Sequence, residues 1–186
     1  TVADAQEIVD AFDFGPFDTL LDVGGTSGAL VIAALKKHEN LKGIVFEQPA
    51  VCAIADDYLK QYGVDDRAKT HPGDFFQRGS LPLEADVITL GWILHDWPEE
   101  QCKIILQHCF EALQPGGTIL VCEKLLNDEG TGPLLTTLMD LHALVSTGGQ
   151  ERSGAVYQQW LEQAGFTDMN VKLLEGNRDL VIARKP

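Results

Sequence analysis

The chain has 186 residues, 45% hydrophobic and 23% charged, a composition that fits one globular domain with a sizeable core. Disordered, collagen-like and disulfide-stapled architectures are therefore excluded. Fourteen Lys and Arg against 28 Asp and Glu leave a net charge of −14, which repels phosphate backbones and anionic lipid and argues against nucleic-acid and membrane partners.

In chain order, apolar strand-like runs alternate with longer helical patterns. Thr19–Val23, Lys42–Glu47, Ala68–His71, Asp86–Gly91 and Gly117–Glu123 read as strands. Ala29–Glu39, Ala50–Tyr62 and Glu99–Leu113 read as the helices among them. Two further helices are predicted over Leu134–Val145 and Ala155–Ala164, then two strands over Met169–Leu174 and Asp179–Arg184. Pro98 opens a helix, and Ser153 and Gly165 are candidate caps of another. This alternation predicts an α/β, doubly wound parallel sheet covered on both faces. The last two strands are separated only by Glu175–Arg178, too short for a parallel crossover, so one reversed strand is expected at the end of the sheet.

No apolar run approaches the roughly 20 residues of a bilayer helix, and no signal-peptide pattern opens the chain. Cys52, Cys102, Cys109 and Cys122 form neither a CxxC pair nor a zinc-type cluster. They read as reduced, buried thiols of a cytoplasmic protein.

The segment Asp22–Val23–Gly24–Gly25–Thr26–Ser27–Gly28 joins the first strand to the first helix, where a doubly wound sheet receives a nucleotide-like ligand. The dinucleotide spacing fails, because Thr26 and Ala29, or Ser27 and Leu30, stand where glycines are needed. Glu47 ends the second strand and can accept hydrogen bonds from ribose hydroxyls. Gly73, Asp74 and Phe75 follow the third strand, where Asp74 can accept from an adenine amino group while a ring packs nearby. All lie at strand carboxyl ends and converge on one crevice. His95, in Leu94–His95–Asp96–Trp97 after the fourth strand, faces the same crevice and titrates near neutrality, as a general base should. Glu123 and Glu151 are the candidate acids to orient its ring, with Asp96 a lesser third. His142 is a candidate pocket residue; no histidines or cysteines are spaced as metal ligands.

Together the Asp-x-Gly-Gly-x-x-Gly turn, Leu-His-Asp-Trp, Pro-Gly-Gly, Gly-Gln-Glu-Arg and Ala-Gly-Phe segments resemble the hydroxyindole and plant phenolic O-methyltransferases. The resemblance implies a seven-stranded, Rossmann-like class I methyltransferase sheet and S-adenosylmethionine as cofactor. A hydroxyl on a small aromatic or polyketide-like molecule would be the acceptor. It matches His95 to the base and Glu123 and Glu151 to the acids flanking it. Asp22, Gly24, Gly25, Glu47, Gly73, Asp74, Phe75 and Trp92 would contact the cofactor; Met139, His142 and Ser146 would line the substrate; no metal is implied.

Thr26 stands where the family usually has a third turn glycine, and its Cβ is expected to crowd the methionine end. Glu47 stands where Asp is usual. Family members also carry an N-terminal helical domain that dimerises and closes part of the pocket. The chain starts just before the glycine turn, so residues 1–186 are expected to be the catalytic domain alone, with a homodimer only where that other domain is present. The alternatives are C- or N-methylation, hydroxylation, a non-catalytic cofactor-binding module and, less favoured by the glycine spacing, a nicotinamide-dependent oxidoreductase.

Overall fold

The strands Thr19–Val23 (β1), Lys42–Glu47 (β2), Val87–Gly91 (β4) and Thr118–Glu123 (β5) are buried almost end to end, as strands covered on two faces must be. The computed structural model describes residues 2–186, with side chains from Ala5 onward. Ala68–Pro72 (β3), Thr167–Lys172 (β6) and Asp179–Arg184 (β7) complete a seven-stranded sheet in the order β3-β2-β1-β4-β5-β7-β6. The helices are Val2–Ala11 (α1), Ala29–Lys37 (α2), Pro49–Gln61 (α3), Glu99–Ala112 (α4), Leu134–Ser146 (α5) and Gly154–Ala164 (α6), with a 3-10 turn at Leu94–Asp96.

Strand side chains alternate between two cores. Leu21, Val23, Ile88, Leu90, Ile119 and Val121 meet α4 and α6 on one face. Leu20, Val45, Val87 and Leu120 meet α1, α2 and α3 on the other. All four cysteines are free and buried, and Cys102 and Cys109 share the inner face of α4.

Two expectations need correction. The reversed strand is not at the edge of the sheet: β7 runs antiparallel between β5 and β6, and β6 forms the edge. The expected short hairpin is present, but its second arm inserts, because the apolar β7 suits an interior place and the exposed, polar β6 suits an edge. The second lies before Thr19, where no element is predicted: α1 packs Ala5, Ile8 and Val9 against the core. A ten-residue helix is marginal alone and draws its stability from that packing. Lys37 holds it through Val9 O and Asp10 Oδ1, both at 2.8 Å.

Chain order reverses at β1, with β2 and β3 on one side and β4 and β5 on the other. This opens a crevice above the carboxyl ends of β1 and β4. Helix α5 is an exception to the covered architecture: Leu134, Leu138, Leu141, Leu144 and Val145 are all exposed along it.

Candidate active site

The β1–α2 turn bends through left-handed residues at Gly24 (φ 73°), Thr26 (φ 50°) and Gly28 (φ 74°). A Cβ at Gly24 would overlap Ile93 Cδ1, so close approach and dihedral both demand glycine there. Thr26 tolerates the same region at a strain of about 1–2 kcal/mol. It is exposed and lines a 220 Å³ cavity with Asp22, Gly25, Ser27, Gly91 and Arg178. Asp22 is buried at the base of the turn and accepts a hydrogen bond from Thr89 Oγ1 at 2.7 Å. Burial pushes its carboxyl up to about 6, although Thr89 and the Arg178 charge pull the other way.

Across Gly24 lies a larger cleft of 840 Å³, lined by Phe46, Glu47, Gly73, Asp74, Phe75, Ile93, Asp96 and Trp97, among others. Gly24 N–H donates to Phe46 O at 2.8 Å and Gly73 N–H to Glu47 O at 2.9 Å, which ties the three strand ends together. Glu47 Oε2 accepts from Gln48 N–H at 2.7 Å, and Asp74 Oδ1 accepts from Phe76 N–H at 2.8 Å, so both carboxylates are held in one orientation. Phe75 and Phe76 meet Trp97 edge-on and form an aromatic wall. The structure thus gathers Gly24, Glu47, Gly73, Asp74 and Phe75 at one cleft, and Asp22 and Gly25 at the cavity beside it.

His95 sits between the cleft residues Ile93 and Asp96, its side chain 12% exposed. Its Nδ1 lies 2.8 Å from Glu151 Oε1. A carboxylate only accepts, so the neutral ring donates Nδ1–H and keeps Nε2 as its basic site. Nε2 is 3.7 Å from Asp96 Oδ1, too far for a hydrogen bond. Glu123 works differently: its Oε1 accepts from Ile93 N–H at 3.0 Å and Leu94 N–H at 2.8 Å, clamping the backbone that carries the ring. Burial lowers the His95 pKa, but the Glu151 hydrogen bond and the charges of Glu123, Glu151 and Asp96 outweigh it and leave it above the usual histidine value. Burial pushes Glu123 up to about 7, with nearby His95 opposing and Glu151 adding to the rise. The nitrogen of His95 and oxygens of both glutamates lie within 4.8 Å of one another, a spacing that could also hold a cation. Oε1 of each glutamate is engaged by N–H groups, while the buried Oε2 of each meets no hydrogen-bond partner.

Three residues not singled out from sequence complete the arrangement. Arg152 donates to Leu94 O (3.0 Å), Gln150 O (2.8 Å) and Trp97 O (2.7 Å), stitching the His95 loop to the Glu151 loop. Asp140 Oδ1 accepts Glu151 N–H at 2.8 Å. Arg178 reaches the glycine turn from the β6–β7 hairpin. The Gly-Gln-Glu-Arg segment flagged the first; nothing local flagged the others. Trp92 lines neither cavity but meets the His95 ring edge-on at 5.1 Å, with φ 58°. Met139, His142 and Ser146 lie on α5, yet the α5 residues bordering the neighbouring 630 Å³ cavity are Asp140 and Leu144. His142 and Ser146 are exposed, and Ser146 Oγ donates to His142 O at 2.8 Å.

The buried acids set the pH dependence of stability. Asp22, Glu123 and His95 all bind protons more tightly folded than unfolded. Their contribution is complete below the unfolded carboxylate values and is lost as pH rises through about 6 to 7 and beyond. The melting temperature at pH 8 should therefore fall below that at pH 5 by roughly 5 °C or more. Thermal denaturation across that range checks this; a rise in Tm toward pH 8 contradicts it.

Among the described residues no helix is long and apolar enough to cross a membrane. The chain matches the O-methyltransferase domain family over residues 2–167. It is 42% identical to acetylserotonin O-methyltransferase of Bos taurus over 96% of this chain and 51% of that protein. It is 38% identical to 3-hydroxy-5-methyl-1-naphthoate 3-O-methyltransferase of Streptomyces sahachiroi over 89% of this chain and 48% of that one. The crystal structure of human N-acetylserotonin methyltransferase in complex with SAM superposes with a TM-score of 0.90 at 36% identity, covering 98% of this chain and 51% of that one. The chain thus spans about half the length of the relatives it matches.

Proposed function

The chain belongs to the O-methyltransferase domain family, and from that premise we propose that residues 1–186 are the catalytic domain of an S-adenosylmethionine-dependent O-methyltransferase. The acceptor is a hydroxyl on a small aromatic or polyketide-like molecule. The observation that carries the reading is the His95 ring, its Nδ1 held 2.8 Å from buried Glu151, beside the cleft that Gly24, Glu47, Gly73 and Asp74 line. The residues present fit the cofactor. Gly24 gives the backbone access that a Cβ would fill, and a 220 Å³ and an 840 Å³ cavity adjoin it, enough for an amino-acid tail and a nucleoside.

When bound, the cofactor supplies a methyl group on a cationic sulfur. Glu47 accepts from the ribose hydroxyls and Asp74 from the adenine amino group, while Phe75 packs on the base. Asp22 and Gly25 border the methionine end, and Trp92 stands behind it between Arg178 and His95. His95 Nε2 takes the proton of the acceptor hydroxyl, Glu151 steadies the resulting imidazolium through Nδ1–H, and Glu123 adds negative potential while fixing the loop. Alignment of the nucleophilic oxygen is the protein's other contribution. On α5, Asp140 and Leu144 border the cavity beside the cleft, whereas Met139, His142 and Ser146 do not line it and would meet the acceptor only with the pocket closed over α5. The exposed apolar side of α5 supports a further domain or partner copy closing the pocket, and with it a homodimer. Four free buried cysteines support a cytoplasmic location.

Incubating the chain with isotopically methyl-labelled S-adenosylmethionine and a panel of phenols tests this. Mass spectrometry should find label in methyl ethers. Label on carbon or nitrogen instead, or calorimetry showing no binding of the cofactor or of S-adenosylhomocysteine, removes the reading.

A further inference from the structure

Because β7 is antiparallel, its first residues lie level with the carboxyl end of β5, Asp179 opposite Glu123. The residue before it, Arg178, therefore reaches over the strand ends. A Cβ placed on Gly91, at the end of β4, would sit 3.4 Å from Arg178 Nη1. The guanidinium lies 5.7 Å from the Trp92 ring centroid, and the side chain borders the 220 Å³ cavity of the glycine turn. Among the described residues it is the one basic side chain lining that cavity. Its Nε–H is buried and meets no acceptor.

A buried arginine N–H without an acceptor is uncommon, and a planar guanidinium matches a carboxylate through two parallel hydrogen bonds. The cavity already holds an acid, Asp22, which suits a cationic ammonium and repels a carboxylate. In a chain of net charge −14, an anionic group entering there needs a local cation. We infer that Arg178 is a positioning residue that binds the carboxylate of the cofactor's amino-acid end. The inference rests on the cofactor reading above. Through the contacts of Arg178 with Trp92, and of Trp92 with His95, it links the tail of the cofactor to the base.

Calorimetric titration of the chain with S-adenosylhomocysteine and with 5′-methylthioadenosine, which lacks the amino-acid end, tests it. Arg178→Ala should weaken S-adenosylhomocysteine about 10- to 100-fold. Affinity for 5′-methylthioadenosine should stay within about twofold, which also reports that the variant is folded. Arg178→Lys keeps the charge but not the fork and should fall between. Equal loss of both nucleosides in Arg178→Ala, or no loss of either, overturns the inference while leaving the cofactor reading intact. An unchanged chain that binds neither nucleoside overturns both.

Discussion

Replacing His95 with Ala should lower kcat by roughly 10²- to 10⁴-fold while S-adenosylhomocysteine binds as tightly as before. The separation follows from the geometry. Gly24, Glu47, Gly73 and Asp74, proposed to hold the cofactor, line cavities that His95 itself does not border, whereas Nε2 of the ring is the proposed basic site beside them. The pH profile supplies an independent readout. The base acts only when neutral, and its pKa is raised, so activity should climb with pH through a limb above the usual histidine value. Glu151→Gln removes the hydrogen-bonded charge that contributes to the rise, so that limb should move to lower pH as kcat falls. Steady-state kinetics across pH 5 to 9 would measure both. A His95→Ala variant with undiminished turnover, or a limb that moves upward in Glu151→Gln, would falsify the base assignment.

Gly149→Ala should be nearly as damaging, for a steric reason. A Cβ at Gly149 would overlap His95 O and come within 2.8 Å of Asp96 C and Cα, backbone against backbone with no flexible side chain to yield. The loop must then retreat, taking with it the 2.8 Å bond from Gln150 N–H to His95 O and the Glu151 contact to the ring. The expected loss is about 3–5 kcal/mol, or roughly 10 °C in Tm, with kcat reduced at least about 100-fold. Gly148→Ala is the control. It has φ 75° but open space around its Cβ, so it should cost only about 1–2 kcal/mol and leave kcat within a few-fold. Thermal melts and kinetics of the two variants side by side would show it. Equal behaviour of both would mean that the two loops are not in contact.

The strand–helix alternation is legible because each core strand is buried on both faces and reads as a short unbroken apolar run between turn residues and longer helical segments. Local sequence then encodes the element directly, and six of the seven strands fall within one residue of their expected positions. β6 begins two residues before its predicted start, because Thr167 and Asp168 carry no apolar signal and a bulge with Asp168 at φ 52° interrupts its pairing. The glycine turn, Glu47, Asp74 and His95 were legible for a topological reason: residues just past parallel strands must share one rim. The division of labour between the two acids was not. Glu123 and Glu151 look equivalent in sequence, and only packing shows that one holds the ring and the other the backbone. Arg178 was invisible because its role depends on where β7 inserts.

Sequence by itself determined the alternation, the crevice rim and the chemistry of the side chains on it, because these depend on short-range pattern and on parallel connection rules. Tertiary structure decided the place of the reversed strand, the packing of α1, the pairing of Glu151 with His95 and the reach of Arg178. Each of these joins segments tens of residues apart or more, and their contacts are fixed by burial and close packing of the whole chain, which no local pattern records.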